Sequence, residues 1–356
     1  MPPDLSVPVQ RVEGEVPREY DGHRLDLYLR KRYPWRSREA YQGMIRRGLV
    51  LVDGERRKPS TTLRWRDRVA VDFGEPQDLL AQPGSIPLCI LLEDEHLLVL
   101  DKQPGVLVHP VGKHRFDTLT NALHHRYRDM ADSARDVVPK IVHRLDKGTS
   151  GVLLVAKDDP ARRELGRQFE DREVRKEYLA LVHGRPARSS GRIELPIVPA
   201  VLPVPGKPRM RTVPAGEGPP ARTDWSVEER LGRFALLRLV LHTGRTHQIR
   251  VHCASLGHPL VADDVYGDGR ALYASTAAGA DAPTRGEEPL LDRVALHSTR
   301  LRFRHPVHGT PITVEAPLPA DMLAAVTALR RGRSQLHNFP VDNSGPPEAE
   351  EGDGRN

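Results

Sequence analysis

The sequence predicts an α+β fold: a large, mainly antiparallel mixed sheet, preceded by a small basic unit of helices and strands. Three observations carry that prediction. Apolar segments of strand length recur from Leu88 to Val314, with few and short helical stretches between them. Residues 16–75 instead show two helical periodicities followed by a hairpin signal. A polar, proline-bearing segment at 76–87 separates the two textures and reads as a linker.

In chain order, residues 1–15 carry no periodic pattern and are expected to be disordered. From Gly22 the spacing of Leu25, Tyr28 and Leu29 predicts a helix ending in Arg30, Lys31 and Arg32, with Pro34 as its stop. Ser37 is placed to cap a second helix whose apolar face carries Tyr41, Met44 and Ile45, and Gly48 to close it. Leu49–Val52 then reads as a strand, Asp53-Gly54 as a hairpin turn and Arg68–Phe73 as a closing strand. Arginine is dense on this unit. Arg36, Arg38, Arg46, Arg47 and Lys58 would face a polyanion, with Tyr33, Trp35 and Tyr41 available to stack on bases. Charge runs more often form plain solvated faces, but this density around one helix-turn-helix favours RNA.

In the larger unit, 88–333, Leu88–Leu92 and Leu97–Leu100 read as a strand pair, and Val106–Val108 as a short strand after the Pro104-Gly105 turn. Further strands are expected at Val152–Ala156, Tyr178–Val182, Trp225–Glu228, Leu236–Leu241 and Ile312–Val314. Helices are expected at Thr118–His125, Arg162–Phe169, Thr246–Leu256 and Met322–Arg331. Pro203–Pro220 and Gly269–Glu288 look like insertions forming mobile loops, and 334–356 like a disordered tail.

Composition narrows the function. The 356 residues suit about two domains, and the net charge of +6 with pI near 9.4 fits a polyanionic partner through counterion release. Cys89 and Cys253 lie far apart in apolar surroundings, so two buried thiols are expected rather than a disulfide or a zinc site. No run of eighteen apolar residues and no leader-like start is present, so a cytoplasmic protein without a membrane partner is expected.

Two stretches carry chemistry. His143-Arg144-Leu145-Asp146-Lys147-Gly148-Thr149-Ser150-Gly151 places an acid between two cations in a glycine-bearing loop that leads into an apolar strand. Cationic neighbours keep a carboxylate ionised, fit to act as nucleophile or base. A loop salt bridge is the commoner outcome, and this segment alone does not decide. In Thr243–His252, Gly244 permits a tight turn before a helix, and Arg245 and Arg250 offer guanidinium forks for phosphate or carboxylate. His247 and His252 lack metal-ligand spacing. Gly148–Gly151 is one residue short of a nucleophile elbow, and neither a phosphate-binding loop nor a dinucleotide fingerprint is present.

Together these residues resemble one known family. The 143–151 segment is similar to the central motif of the RluA-type pseudouridine synthases. Leu98–Gly105 with His109-Pro110 and Thr118–Leu123 resembles their first motif. Lys176–Ala180 resembles their tyrosine strand. Thr243–His252, with Gly257–Leu260 and Asp264–Gly267, resembles their arginine motif. His297-Ser298 and Pro317–Pro319 match the C-terminal pattern, and the basic unit resembles an S-four-like RNA-binding domain. The likeness runs from residue 22 to about 322.

The resemblance implies a pseudouridine synthase fold and an isomerase that breaks the N-glycosidic bond of a uridine in structured RNA, turns the uracil and rejoins it through a ring carbon. No cofactor and no metal are implied. Asp146 would be the essential aspartate and Arg250 its partner. Tyr178 would stack on the target base. Arg144 would steer the extruded nucleotide, with His143, Lys176, Arg245 and Gln248 as further substrate-side residues and Lys102 as a support of the cleft. The S-four-like unit points to large-subunit ribosomal RNA, with transfer RNA as the alternative substrate and a monomer as the default state. A non-catalytic RNA-binding assembly factor is the competing class. A hydrolase is weaker still, because no second carboxylate motif accompanies Asp146. The presence of Asp146, Tyr178 and Arg250 together favours the enzyme.

Overall fold

The computed structural model describes residues 11–33, 38–73, 86–111, 114, 117–128, 139–200 and 209–336. The first unit has its own core. In it β1 (Arg11–Glu15), α1 (Leu25–Arg32), α2 (Arg38–Arg46), β2 (Val50–Val52), β3 (Glu55–Arg56) and β4 (Arg68–Asp72) form a four-stranded sheet, ordered β1-β4-β2-β3, backed by the two helices. The disorder expected for 1–15 is corrected for 11–15, where Arg11–Glu15 pairs antiparallel with Asp72–Arg68 and Val16 beyond it is buried; residues 1–10 lie outside the described residues. The β1 side chains are largely exposed, so the backbone ladder to β4 is what holds this strand. Tyr33 and Tyr41, expected to meet bases, are instead buried among Leu25, Leu29, Met44 and Phe73, and the Tyr41 hydroxyl donates to the Tyr33 carbonyl. They join α1 to α2. Pro34, Trp35, Arg36 and Ser37 lie outside the described residues, as does most of the expected linker.

The second unit begins with β5 (Ile90–Glu93), β6 (Leu97–Lys102), α3 (Leu119–Arg128), β7 (Lys140–Ile141), β8 (Ser150–Ala156), α4 (Asp159–Glu170) and β9 (Arg175–His183). It continues through β10 (Ser190–Ile193), β11 (Ile197–Pro199), β12 (Met210–Thr212), β13 (Thr223–Leu231), β14 (Phe234–Leu241) and α5 (Gln248–Ser255). The last elements are α6 (Ala274–Ala277), β15 (Leu296–Arg304), β16 (Pro311–Glu315) and α7 (Ala320–Leu336). The described strands build a sheet ordered β10-β13-β14-β9-β15-β8-β6-β5, in which only β15 and β8 run parallel. The α+β class holds.

Why β6 and β8 read as unbroken apolar runs is now clear: both faces of the sheet are covered. Leu98, Leu100, Leu153 and Val155 enter one core with α3 and α5, while Leu97, Val99, Val152 and Leu154 enter another with α4. Each such side chain, fully withdrawn from water, contributes roughly 1.5–3 kcal/mol. Helix α4 starts where Asp158 caps the Ala161 amide (2.7 Å), with Pro160 in the first turn.

Several expectations are corrected. Val106–Val108 is not a strand, because only Leu107 bridges to Thr118. Cys89 is exposed at the edge before β5, whereas Cys253 is buried. The segment Gly269–Glu288 is no mobile loop: it contains α6, and Glu287 accepts the Ser275 and Thr284 amides, both at 2.9 Å. Within Pro203–Pro220, β12 pairs with β11, and 201–208 lie outside the described residues. The tail expected from 334 begins inside α7, and 337–356 lie outside the described residues.

One glycine is indispensable to the sheet. Gly151, in the parallel β8–β15 contact, has φ +109°, and a Cβ there would run into the Ser298 backbone. Gly151→Ala is expected to destabilise the second unit by about 2–5 kcal/mol, from left-handed strain plus overpacking. Urea denaturation checks this; an unchanged midpoint would contradict it.

Candidate active site

The loop between β7 and β8 carries Asp146, and four contacts hold it. The Asp146 carbonyl accepts the Thr149 amide (3.1 Å), closing a turn. The Lys147 carbonyl accepts the Gly105 amide (2.8 Å) and the Lys102 ammonium (3.3 Å). Lys102 is buried and also donates to the Gln103 and Val106 carbonyls, at 2.8 and 2.9 Å. Burial, with Arg293 second, draws its ammonium down to about 7. Finally, Arg293 donates to the Gly148 carbonyl (2.9 Å) while its guanidinium grips Asp321 on α7 at 2.6 and 2.9 Å.

So held, the Asp146 side chain stays one-fifth exposed and opens onto a cleft of about 360 Å³, within the usual range for small-molecule sites. Arg250, on α5, brings Nη1 to 3.8 Å from the Asp146 carboxylate. That is an ion pair without a hydrogen bond. The close partner of Arg250 is Asp263, which takes Nε and Nη2 at 2.8 and 2.7 Å; Asp264 stands at 3.6 Å from Nη2. Fully buried, Asp263 needs a cation and further donors, and it also accepts the Val265 and Tyr266 amides at 3.0 and 3.1 Å. Burial works against its charge, but the Arg250 hydrogen bonds overcome it and lower its pKa. The Arg250–Asp146 pairing expected from the sequence is an ion pair at 3.8 Å, and Asp263 fixes the fork so that Nη1 faces Asp146.

His247 approaches Asp146 from the other side, Nε2 at 3.9 Å. It sits at φ +56°, a left-handed conformation uncommon for histidine, and its Nδ1 lies 3.0 Å from the Tyr266 hydroxyl. That hydroxyl also accepts the Met210 amide of β12 (2.8 Å). Burial keeps the imidazole below its ordinary value even beside Asp146, so the ring is neutral at neutral pH.

Tyr178 on β9 forms the opposite wall. Burial first, and the Asp146 charge as well, push its phenol up to about 12 against a hydrogen bond with Ser298, so it stays protonated. Lys176, two residues earlier on the same face, is buried against Phe169 with its ammonium 5.9 Å from the ring centroid, and burial lowers it. His143 lines the cleft, but its Nε2 accepts the Leu154 amide (2.9 Å) and its ring stacks on Phe169. Burial pulls it down to about 3, so it is neutral. Gln248 is committed to the scaffold: its oxygen accepts from Thr243 (2.7 Å) and the Arg245 amide (3.0 Å), and its nitrogen donates to the Arg222 carbonyl and Thr223, both at 3.0 Å. Arg245 is exposed at the rim and donates to the Pro220 carbonyl (3.2 Å). Arg144 is exposed at the mouth, and no ion pair engages it among the described residues.

In the first unit, Arg46, Arg47 and Lys58 are exposed, and Arg46 and Lys58 line a basic recess with Arg56 and Arg57. Arg38 donates to the buried Asp26 (3.0 Å), which Arg24 and Gln42 also hold. Arg36 lies outside the described residues. The sequence reading gave no site role to Asp263, His247, Tyr266 or Arg293, although His247 falls inside the Thr243–His252 motif and Tyr266 inside Asp264–Gly267. Among the described residues, no group of three His, Cys, Asp or Glu side chains is placed to hold a metal, and no helix is long and apolar enough to cross a membrane.

Comparison with known proteins points to one family. Residues 96–255 match a family described as RNA pseudouridylate synthase, and residues 23–69 match the S4 domain. The chain is 39% identical over 317 residues to an "Uncharacterized RNA pseudouridine synthase" of Chlorobaculum parvum, covering 86% of this chain and 94% of that protein. It is 38% identical to "Ribosomal large subunit pseudouridine synthase D" of Xanthomonas campestris pv. campestris, covering 89% and 92%. Among solved structures, "Human RNA Pseudouridylate Synthase Domain Containing 4" superposes with a TM-score of 0.54 at 25% identity, over 68% of this chain and 93% of that one.

Asp263→Ala is expected to cost roughly 3–5 kcal/mol near neutral pH, because it strands a buried guanidinium. The wild-type Asp263 pKa lies below 3.8, so the native state binds fewer protons than the unfolded chain in acid. That stabilisation is complete above about pH 4 and lost as the pH falls through the lowered value. Thermal melts of both proteins across acidic pH check this: the gap should close in acid, and a constant gap would contradict the charge argument.

Proposed function

The chain belongs to the RNA pseudouridine synthase family, and on that premise we propose that Asp146 is the nucleophile acting on a uridine of large-subunit ribosomal RNA. The enzyme is an isomerase: the N-glycosidic bond breaks, a bond to a ring carbon forms, that carbon gives up its proton and the freed ring nitrogen gains one, so no electrons are exchanged. One observation carries the proposal: a partly exposed carboxylate, on a loop anchored by Lys102 and Arg293, opens onto the cleft beside a guanidinium locked by Asp263.

The residues divide the work by chemistry. Asp146 supplies the electron pair, to the sugar or to the ring. Nη1 of Arg250 keeps the carboxylate oriented and compensates charge as it redistributes. Tyr178 is a neutral phenol on the cleft wall, and in this reading its ring stacks on the base while its hydroxyl assists the final proton transfer. Lys176 offers a cleft-facing ammonium to uracil carbonyls or a phosphate, with His143 behind it as a neutral wall. Arg245 meets phosphate at the rim, and Gln248 holds that turn in place. The uridine must leave its stack to reach Asp146, at a cost of a few kcal/mol. Arg144 at the mouth is positioned to fill the space it vacates. The ribosomal substrate follows the names of the relatives, and the exposed cations Arg46, Arg47 and Lys58 supply the phosphate contacts such an RNA requires.

The test is nucleotide-resolution mapping of pseudouridine with wild-type and Asp146→Ala protein. Formation should fall by about 10⁴-fold or more in the variant while RNA affinity stays within about threefold. Cells lacking the gene should lose a site in large-subunit ribosomal RNA. Retained activity in Asp146→Ala would overturn the nucleophile. A lost site confined to transfer RNA would overturn the substrate.

A further inference from the structure

Among the described residues of the first unit, the aromatic side chain most open to solvent is Trp65, and nothing described so far uses it. Among the described residues it is the one aromatic side chain counted with the exposed large hydrophobics, at 49% exposure, whereas Tyr33 and Tyr41 are buried. An indole half in water loses the stabilisation that burial would bring, so something other than core packing holds it there.

Its setting is rigid. Trp65 lies on the turn before β4, and backbone contacts fix that turn on all sides. The Arg64 amide donates to the Asp67 carboxylate (2.7 Å), the Trp65 amide to Asp21 (2.9 Å) and the Arg66 amide to the Val16 carbonyl (3.0 Å). Arg66 holds φ +74°, where glycine is the favoured residue. Its guanidinium stands 4.4 Å from the indole centroid, and that of Arg18 stands 5.7 Å away. Neither guanidinium, nor that of Arg64, is paired with a carboxylate among the described residues. A fixed, half-exposed indole with Arg66 and Arg18 in cation–π contact with its ring, neither guanidinium carrying a carboxylate partner among the described residues, matches the two surfaces of a single-stranded nucleotide, a flat base and a phosphate.

We propose that Trp65, with Arg18 and Arg66, is a stacking site for an unpaired base of the RNA substrate, remote in sequence from the uridine that is modified. This rests on the reading that the chain acts on RNA. A protein partner fits less well. A stable interface needs about 800 Å² per partner with an apolar centre, and in the first unit no other large apolar side chain is exposed beside the indole among the described residues.

The full chain is tested with two probes: a short RNA hairpin with an unpaired loop, and a blunt RNA duplex of the same stem. The hairpin should quench tryptophan emission of the wild type, and Trp65→Phe should remove that quench. The emission measurements are made in a Trp35→Phe background, because Trp35 belongs to the same unit and would share the signal, and the buried Trp225 remains as an internal background. Trp65→Ala should weaken hairpin binding about 5- to 100-fold, and Trp65→Phe by no more than about threefold, with duplex binding unchanged in both. Equal hairpin affinity for wild type and Trp65→Ala would overturn the proposal. So would an equal loss on the duplex, or a change confined to the oligomeric state in sedimentation. Binding is read without turnover. Asp146→Ala should therefore keep the Trp65-dependent quench, and failure of the catalytic reading would leave this result standing.

Discussion

Everything at the cleft depends on how one guanidinium is held. Arg250 and Asp263 are both buried, and their two short hydrogen bonds leave a single nitrogen of the fork free to face Asp146. A lone buried charge of either sign would be costly, so each side chain requires the other. The consequence is directional. Nη1 has no closer claim on it than Asp146, and Asp146 meets a cation that cannot swing away. At 3.8 Å the guanidinium favours the charged carboxylate without making a short hydrogen bond to its oxygen, which would lower the basicity of that oxygen.

The second constraint is the anchoring of the Asp146 loop to distant parts of the chain. Lys102 ties it to the end of β6, Arg293 ties it to α7 through Asp321, and Gly151 lets β8 lie against β15. The loop is thus fixed at both ends by the same large sheet that carries Tyr178. Opposite it, Gln248 fixes the turn that delivers His247 and Arg250, and Tyr266 connects His247 to β12. Rigid support of this kind is what electrostatic preorganisation requires.

Much of this was legible in the sequence, for identifiable reasons. The 143–151 segment is contiguous, so its loop-then-strand character and its acid could be read directly. β6 and β8 were visible because burial on both faces makes them continuous apolar runs. By contrast β15, which lies between β9 and β8, was not recognised as a strand. Arg300, Arg302 and Arg304 alternate along it and hide Leu301 and Phe303. Asp263 was passed over because nothing local distinguishes a buried Asp from the exposed Asp264 beside it; only the fold decides which one meets Arg250. Periodicity correctly placed Tyr41 on the apolar face of α2, while Tyr33 closes α1, yet a basic composition suggested RNA contact where packing claimed both. Trp65, in a turn without periodicity, drew no notice.

The claim that a locked guanidinium activates and aims Asp146 is tested most directly by single-turnover pseudouridine formation with Arg250→Lys. Lysine keeps the positive charge but cannot occupy both Asp263 oxygens and still present a nitrogen to Asp146. The rate should fall by about 100-fold or more with RNA affinity preserved. A rate equal to wild type would show that charge alone suffices and that the fork geometry is incidental.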